Sequence, residues 1–187
     1  MSHPRLTSAL NNRGLTLIEL ITTLATLTLL IALATPSLLT LTLRTEQTTS
    51  VNGFLNHFYL ARSLAIQQEQ HQVICPSEDG MQCLDQGNWS RGLIVFEDRD
   101  RNGILDQTDP IQGKYLIPDE SKIEIHSSEY RKRVIYHGDG RPSGYNLTLT
   151  FCAPEEQIEP KALIVNNVGR IRISEQGPGG SALKCGS

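Results

Sequence analysis

Arg13-Gly14-Leu15-Thr16-Leu17-Ile18-Glu19 opens the stretch whose reading decides the fold. From Leu15 to Leu43 the chain runs for 29 residues with a single charge, Glu19. A helix of that length reaches about 43 Å, more than the hydrocarbon core of a bilayer. The residues before it, 1–14, carry Arg5 and Arg13 and no acid, and positive charge ahead of an apolar run holds that end in the cytoplasm. An ordinary secretory signal fits poorly. Its apolar core spans about 7–15 residues and ends in a small-residue cut, whereas here the small-residue break, Gly14, precedes the run. A lone carboxylate in hydrocarbon costs about 2.5–3.5 kcal/mol on insertion scales, so Glu19 calls for a role. Pro36 interrupts the run and removes one helical hydrogen bond. The Ser and Thr side chains dense between Thr22 and Thr42 can serve freed backbone groups.

Outward from this segment, residues 44–70 continue the helix. Val51, Phe54, Leu55, Phe58, Ala61 and Ala65 recur at helical spacing, giving one apolar face that needs a covering sheet. After His71 the period shortens. Strands are expected at Val73–Cys75, Leu93–Glu97, Lys114–Ile117, Ile123–His126, Arg133–Tyr136, Tyr145–Phe151, Ala162–Asn166 and Arg170–Ile173. One long helix followed by many strands is an α+β pattern, an antiparallel sheet domain packed on the helix. The Gly177–Gly180 end is expected to be an irregular, flexible tail.

Seventeen Lys+Arg against 20 Asp+Glu leave a net charge of −3, which excludes a pervasively basic, histone-like chain. Cys75, Cys83, Cys152 and Cys185 all follow the apolar run, the arrangement of disulfides in an oxidising compartment. No C-x-x-C or paired His accompanies them, which argues against zinc. Four cysteines allow three pairings. We expect Cys75–Cys83, closing a local loop around Gly80, and Cys152–Cys185, pinning the tail to the sheet.

The junction at Gly14 resembles the type III signal of type IV pilins and type II secretion pseudopilins. The resemblance implies removal of a leader, residues 1–14, by a prepilin peptidase cutting between Gly14 and Leu15, with methylation of the new amine. Glu19 then becomes the fifth mature residue, able to neutralise the N-terminal amine of a neighbouring subunit; Leu15 stands where Phe or Met is commoner. Ala61-Arg62-Ser63-Leu64-Ala65-Ile66 is similar to a passage of the FimT/GspH subgroup, with Leu64 in place of its usual Glu. The implied organisation is a leader (1–14), a membrane and filament-core helix (15–43), its amphipathic continuation (44–70) and a β-rich globular domain (71–187). Such a protein sits in the inner membrane, its globular domain periplasmic, and then joins other major and minor pilins in a surface pilus.

Catalysis finds no support in the sequence. There is no H-E-x-x-H, G-x-S-x-G or P-loop, and His57, His71, His126 and His137 stand on different elements without a sequence partner; no cofactor is expected. The stretch from Asp98 to Asp109 matches much of a calcium loop, with Asp98, Asp100, Asn102 and Asp106 at ligand positions, Gly103 at the turn and Asp109 last. Asp109 is shorter than the bidentate Glu of such loops, and Arg99 and Arg101 dilute the negative charge. A structural Asx-rich turn is therefore the reading taken, with no metal.

The C-terminal passage is more informative. Residues 161–187 hold Lys161, Arg170, Arg172 and Lys184 against one acid, Glu175, although residues 75–110 hold eight acids against three arginines. In Arg170-Ile171-Arg172-Ile173, strand alternation places both arginines on one face, about 6.8 Å apart, a separation comparable with that of neighbouring phosphates. Spacing alone favours the charged face of an edge strand, a guard against aggregation, over a nucleic-acid contact. Gly169-Arg170-Ile171-Arg172 resembles the G-R-x-R motif of FimT minor pilins, which bind DNA during natural transformation. That resemblance implies a DNA-binding role for Gly169, Arg170 and Arg172, with Lys161 and Lys184 as basic neighbours and no sequence preference. The alternatives are a GspH-like minor pseudopilin of a type II secretion system and, behind it, a metal-binding adhesin.

Overall fold

A computed structural model describes residues 14, 16–127, 131–143 and 146–185. The order of elements is α1 (Leu17–Gln68), β1 (His71–Pro76), β2 (Gly92–Asp98), β3 (Ile111–Leu116), β4 (Glu124–His126), β5 (Val134–Tyr136), β6 (Leu147–Cys152), β7 (Lys161–Val165) and β8 (Ile171–Ser174). All eight expected strands are present. β3 begins three residues earlier than expected, and β6 is seen from Leu147, Tyr145 lying outside the described residues. The chain divides into two compact units, Met1–Leu39 and Thr40–Ser187.

In the first unit the described residues form the start of α1. Thr16 caps it: its Oγ1 accepts the Glu19 N–H at 3.3 Å and its carbonyl accepts the Leu20 N–H at 3.1 Å. Thr22, Thr23, Thr26 and Thr28 turn their hydroxyls back onto helix carbonyls at 2.8–3.0 Å, so their polar groups are satisfied within the helix. Leu17, Ile18, Leu20, Ile21, Leu24, Leu27, Leu29, Leu30 and Ile31 are all exposed, an apolar surface on every side of the helix. Among the described residues no helix is long and apolar enough to cross a membrane; the side chains of residues 33–37, which include Pro36, lie outside the described set.

The second unit holds two four-stranded antiparallel sheets, β3-β2-β1-β5 and β4-β6-β7-β8. Their main core joins Val51, Phe54, Phe58, Ala61 and Ala65 of α1 to Ile74, Trp89, Leu93, Val95, Leu149, Phe151, Leu163 and Val165. Phe54 is its hub, meeting Trp89, Tyr115 and Phe151 edge-on at 5.4–6.3 Å, the geometry aromatic pairs prefer. A second cluster, Val73, Cys75, Ile94 and Phe96, with Cys83, Leu105 and Ile135 against it, covers the other face of the first sheet. That double cover explains why Leu93-Ile94-Val95-Phe96 is continuously apolar rather than alternating. Gly53 lies in mid-helix where any side chain would cost space: a Cβ there would stand 2.3 Å from the Tyr115 ring of β3.

Candidate functional site

β7 and β8 form a hairpin in register Val165↔Ile171, Ile164↔Arg172, Leu163↔Ile173, and β8 is the edge of its sheet. Asn166 builds the turn. Its Oδ1 accepts the N–H groups of Val168 (3.2 Å) and Arg170 (2.8 Å), its carbonyl accepts the Gly169 N–H (2.9 Å), and its N–H donates to the Arg170 carbonyl (3.1 Å). Gly169 has φ +79°, and a Cβ there would lie 2.4 Å from the Gly140 carbonyl oxygen. Both the left-handed backbone and the close approach require glycine. Ile171 enters the core, Ile173 is half-exposed, and Arg170 and Arg172 stand exposed on the opposite parity.

Among the described residues, four other cations are held by acids. Arg91 pairs with Glu78 and Asp119, Arg99 with Glu97, Lys132 with Asp85 and Arg141 with Asp139. Among the described residues, neither Arg170 nor Arg172 has a carboxylate within 4.0 Å. In the basic cluster Arg131-Lys132-Arg133, Lys132 takes its acid and Arg133 donates to the Gly103 carbonyl, which gives that cluster a structural use.

Lys161 and Lys184 do not join the arginine pair. Lys161 shares the parity of Leu163 and Val165, the core-facing side, and begins β7 at the end remote from the turn. Lys184 is exposed beside Cys185, which is bonded to Cys152 at the end of β6. That end is again distant from the hairpin turn, because Leu147, not Cys152, lies opposite Val165. The disulfides are Cys75–Cys83 and Cys152–Cys185.

Asp98, Asp100 and Asp109 bring carboxylate oxygens within 4.8 Å of one another, yet each is engaged with the loop's own backbone. Asp98, fully buried, accepts N–H groups of Asn102 (3.1 Å) and Gly103 (3.0 Å). Asp100 accepts the Asn102 N–H at 3.1 Å, and Asn102 Oδ1 the Ile104 N–H. Asp106 accepts the Thr108 N–H at 2.7 Å, and Asp109 those of Arg99 (3.0 Å) and Asp106 (3.2 Å). Burial raises the Asp98 pKa, opposed by its two backbone donors, while Asp109 and Asp100 raise it further. The arrangement is a chain of Asx turns bridging β2 and β3.

Two of the histidines that lack sequence partners meet in space. His137 Nδ1 lies 3.1 Å from His71 Nε2, and Ser143 Oγ lies 2.9 Å from His137 Nε2. Nothing in the sequence pairs residues 71 and 137; the antiparallel β1–β5 contact does so, Gln72 lying opposite Tyr136. At the amino end, Gly14 is exposed and Glu19 occupies the first helical turn, where the helix dipole favours a carboxylate. Leu15 and residues 1–13 lie outside the described residues.

A family model described as Type II transport protein GspH matches residues 50–177. Two crystal structures of the type IV minor pilin FimU of Pseudomonas aeruginosa are similar in fold, with TM-scores of 0.53 and 0.55 at 15% and 16% identity, covering 68% and 70% of this chain and 91% and 90% of theirs. The minor pseudopilin EpsH of the Vibrio cholerae type 2 secretion system is similar at a TM-score of 0.50 and 16% identity, covering 72% of this chain and 98% of that one. No curated protein matches the chain.

Proposed function

Because the chain belongs to the GspH family, we propose that it is a minor pilin of a type IV pilus that captures DNA through Arg170 and Arg172, without sequence preference, for uptake in natural transformation. That it is a minor pilin or pseudopilin, a structural subunit and not an enzyme, is the established part of this reading. The observation that carries the rest is the pair of exposed guanidiniums on an edge strand, with no carboxylate partner among the described residues. Arg91, Arg99, Lys132 and Arg141 already face an acid; Arg170 and Arg172 are available to phosphate.

In this reading a prepilin peptidase removes residues 1–14, cutting between Gly14 and Leu15, and the mature helix from Leu15 anchors the protein in the inner membrane before filament assembly. The bare apolar surface of Leu17–Ile31 supports it, since such a surface requires lipid or neighbouring helices. The second reading, a structural pseudopilin of type II secretion, is favoured by the description of the matching family and by the net acidic charge.

Fluorescence anisotropy of labelled duplex DNA with the full chain in non-ionic detergent decides between them. Arg170→Gln with Arg172→Gln removes both charges and leaves the strand's backbone pairing available, so binding should largely disappear, leaving a weak residual affinity at low salt, while the fold and disulfides remain. Absence of binding by the wild type at low salt, or equal binding by the double variant, makes the arginines an edge-strand guard and the secretion pseudopilin the better answer.

A further inference from the structure

Arg62, on α1, reaches two chain reversals at once. Its Nε–H donates to the Gly140 carbonyl at 3.0 Å, and its Nη2 reaches the Val168 carbonyl at 3.5 Å. The same Gly140 carbonyl is the atom against which Gly169 packs, and Arg62 Nε lies 3.1 Å from where a Gly169 Cβ would be. The turn carrying Gly140 is itself closed, the Gly140 N–H donating to the His137 carbonyl (2.8 Å) and the His137 N–H to the Arg141 carbonyl (2.9 Å). One side chain of the helix thus ties a fixed turn to the turn that leads directly into Arg170.

We propose that Arg62 is a positioning residue for Arg170 and Arg172: it clamps the β7–β8 turn to the 137–141 turn, so that the two guanidiniums are presented as a fixed pair. The consequence for binding rests on the DNA-capture reading above. The physical need is clear from topology. Among the described residues β8 is an edge strand of four residues paired to β7 alone, and regions with few buried contacts and solvent-exposed backbone hydrogen bonds open locally at low cost. Arginine suits the task where lysine does not, because its planar fork offers donors in two directions while an ammonium is a single compact point. Arg62 contributes through backbone carbonyls and not through its charge, so a charge-conserving substitution separates positioning from simple attraction.

The test uses the full chain in detergent, with Arg62→Lys as the main variant and Arg62→Gln, which keeps an N–H donor, as the second in case the first folds poorly. Hydrogen exchange is followed at residues 166–173 and, as a reference, along β6 and β7. DNA affinity is measured in the wild-type and Arg170→Gln/Arg172→Gln backgrounds. Exchange of the 168–171 amides should rise about fivefold in Arg62→Lys, the worth of one net hydrogen bond, with the β6–β7 ladder unchanged. Duplex affinity should fall by a similar factor in the wild-type background, with no further fall in the double-variant background, where there is no pair left to position. Unchanged exchange at 168–171 overturns the clamp whatever the DNA result. Raised exchange with undiminished affinity, or an equal loss in both backgrounds, overturns the positioning role, the latter because Arg62 would then touch DNA itself. If the wild type binds no DNA while exchange rises as expected, the clamp stands and the DNA reading is the one that fails.

Discussion

At the scale of single residues, Asp98 carries the most contradictory demands. It is fully buried, its pKa is pushed up by burial and by its acidic neighbours, and it is held by two backbone N–H groups, one to each oxygen. Asparagine would present an amide NH2 to one of those donors, leaving it unsatisfied, so Asp98→Asn should cost about 1–3 kcal/mol in chemical denaturation. Because the loop's carboxylates are occupied by its own backbone, calorimetric titration with calcium should show no micromolar site. His71 supplies a pH dependence. Its pKa is lowered, first by burial and then by His137 and Arg101, against an opposing pull from Asp98. A histidine whose folded pKa lies below its unfolded value contributes stability present above about 6.5 and lost as pH falls toward the folded value. The nitrogens facing one another at 3.1 Å also cannot both carry protons. Thermal midpoints should therefore drop between pH 7.5 and 5.5, and His71→Gln should flatten that slope; an unchanged slope would remove the histidine pair as its source.

At the scale of elements, Gly53 shows where packing outweighs propensity. Alanine is favoured over glycine in a helix by about 1 kcal/mol, but a Cβ at Gly53 would lie 2.3 Å from the Tyr115 ring. Overpacking of that kind costs about 1–3 kcal/mol, so Gly53→Ala should lower the melting temperature, and Tyr115→Leu in the same chain should recover part of the loss. The strand expected from Lys114 begins at Ile111, and Gly113 is a residue of β3 lying close against Leu60 and His57 of the helix. The positions of the strands were legible because alternation and turn residues are local signals. Their division into two sheets was not, since β5 returns to β1 and β4 joins β6 across long stretches of chain. Alternation likewise made Arg170 and Arg172 legible as a pair, while nothing local showed that Lys161 has the wrong parity or that Arg62 would reach Gly140 and Val168, 78 and 106 residues away.

At the scale of the whole molecule, a net charge of −3 means that overall electrostatics oppose DNA, so attraction must come from a local patch. Sequence alone grouped four cations near the carboxyl end; the fold leaves Arg170 and Arg172 together, with Lys161 on the core-facing parity and Lys184 at the Cys152 end of β6. In the DNA-capture reading the pair engages about two phosphates, where all four cations would engage about four. Each phosphate contact to duplex DNA adds about −0.9 to the slope of log affinity against log salt, so the full chain should show a slope near −1.8 and lose only about tenfold between 50 and 200 mM salt. Two contacts also make single-copy binding weak, and a filament or vesicle bearing several copies should gain by avidity without a steeper slope per site. Anisotropy at four salt concentrations measures the slope directly. A value near −3.6 would bring Lys161 and Lys184 back into the interface and require the tail to move from where Cys152–Cys185 holds it; a reducing agent would then alter the slope, and with two arginines alone it should not.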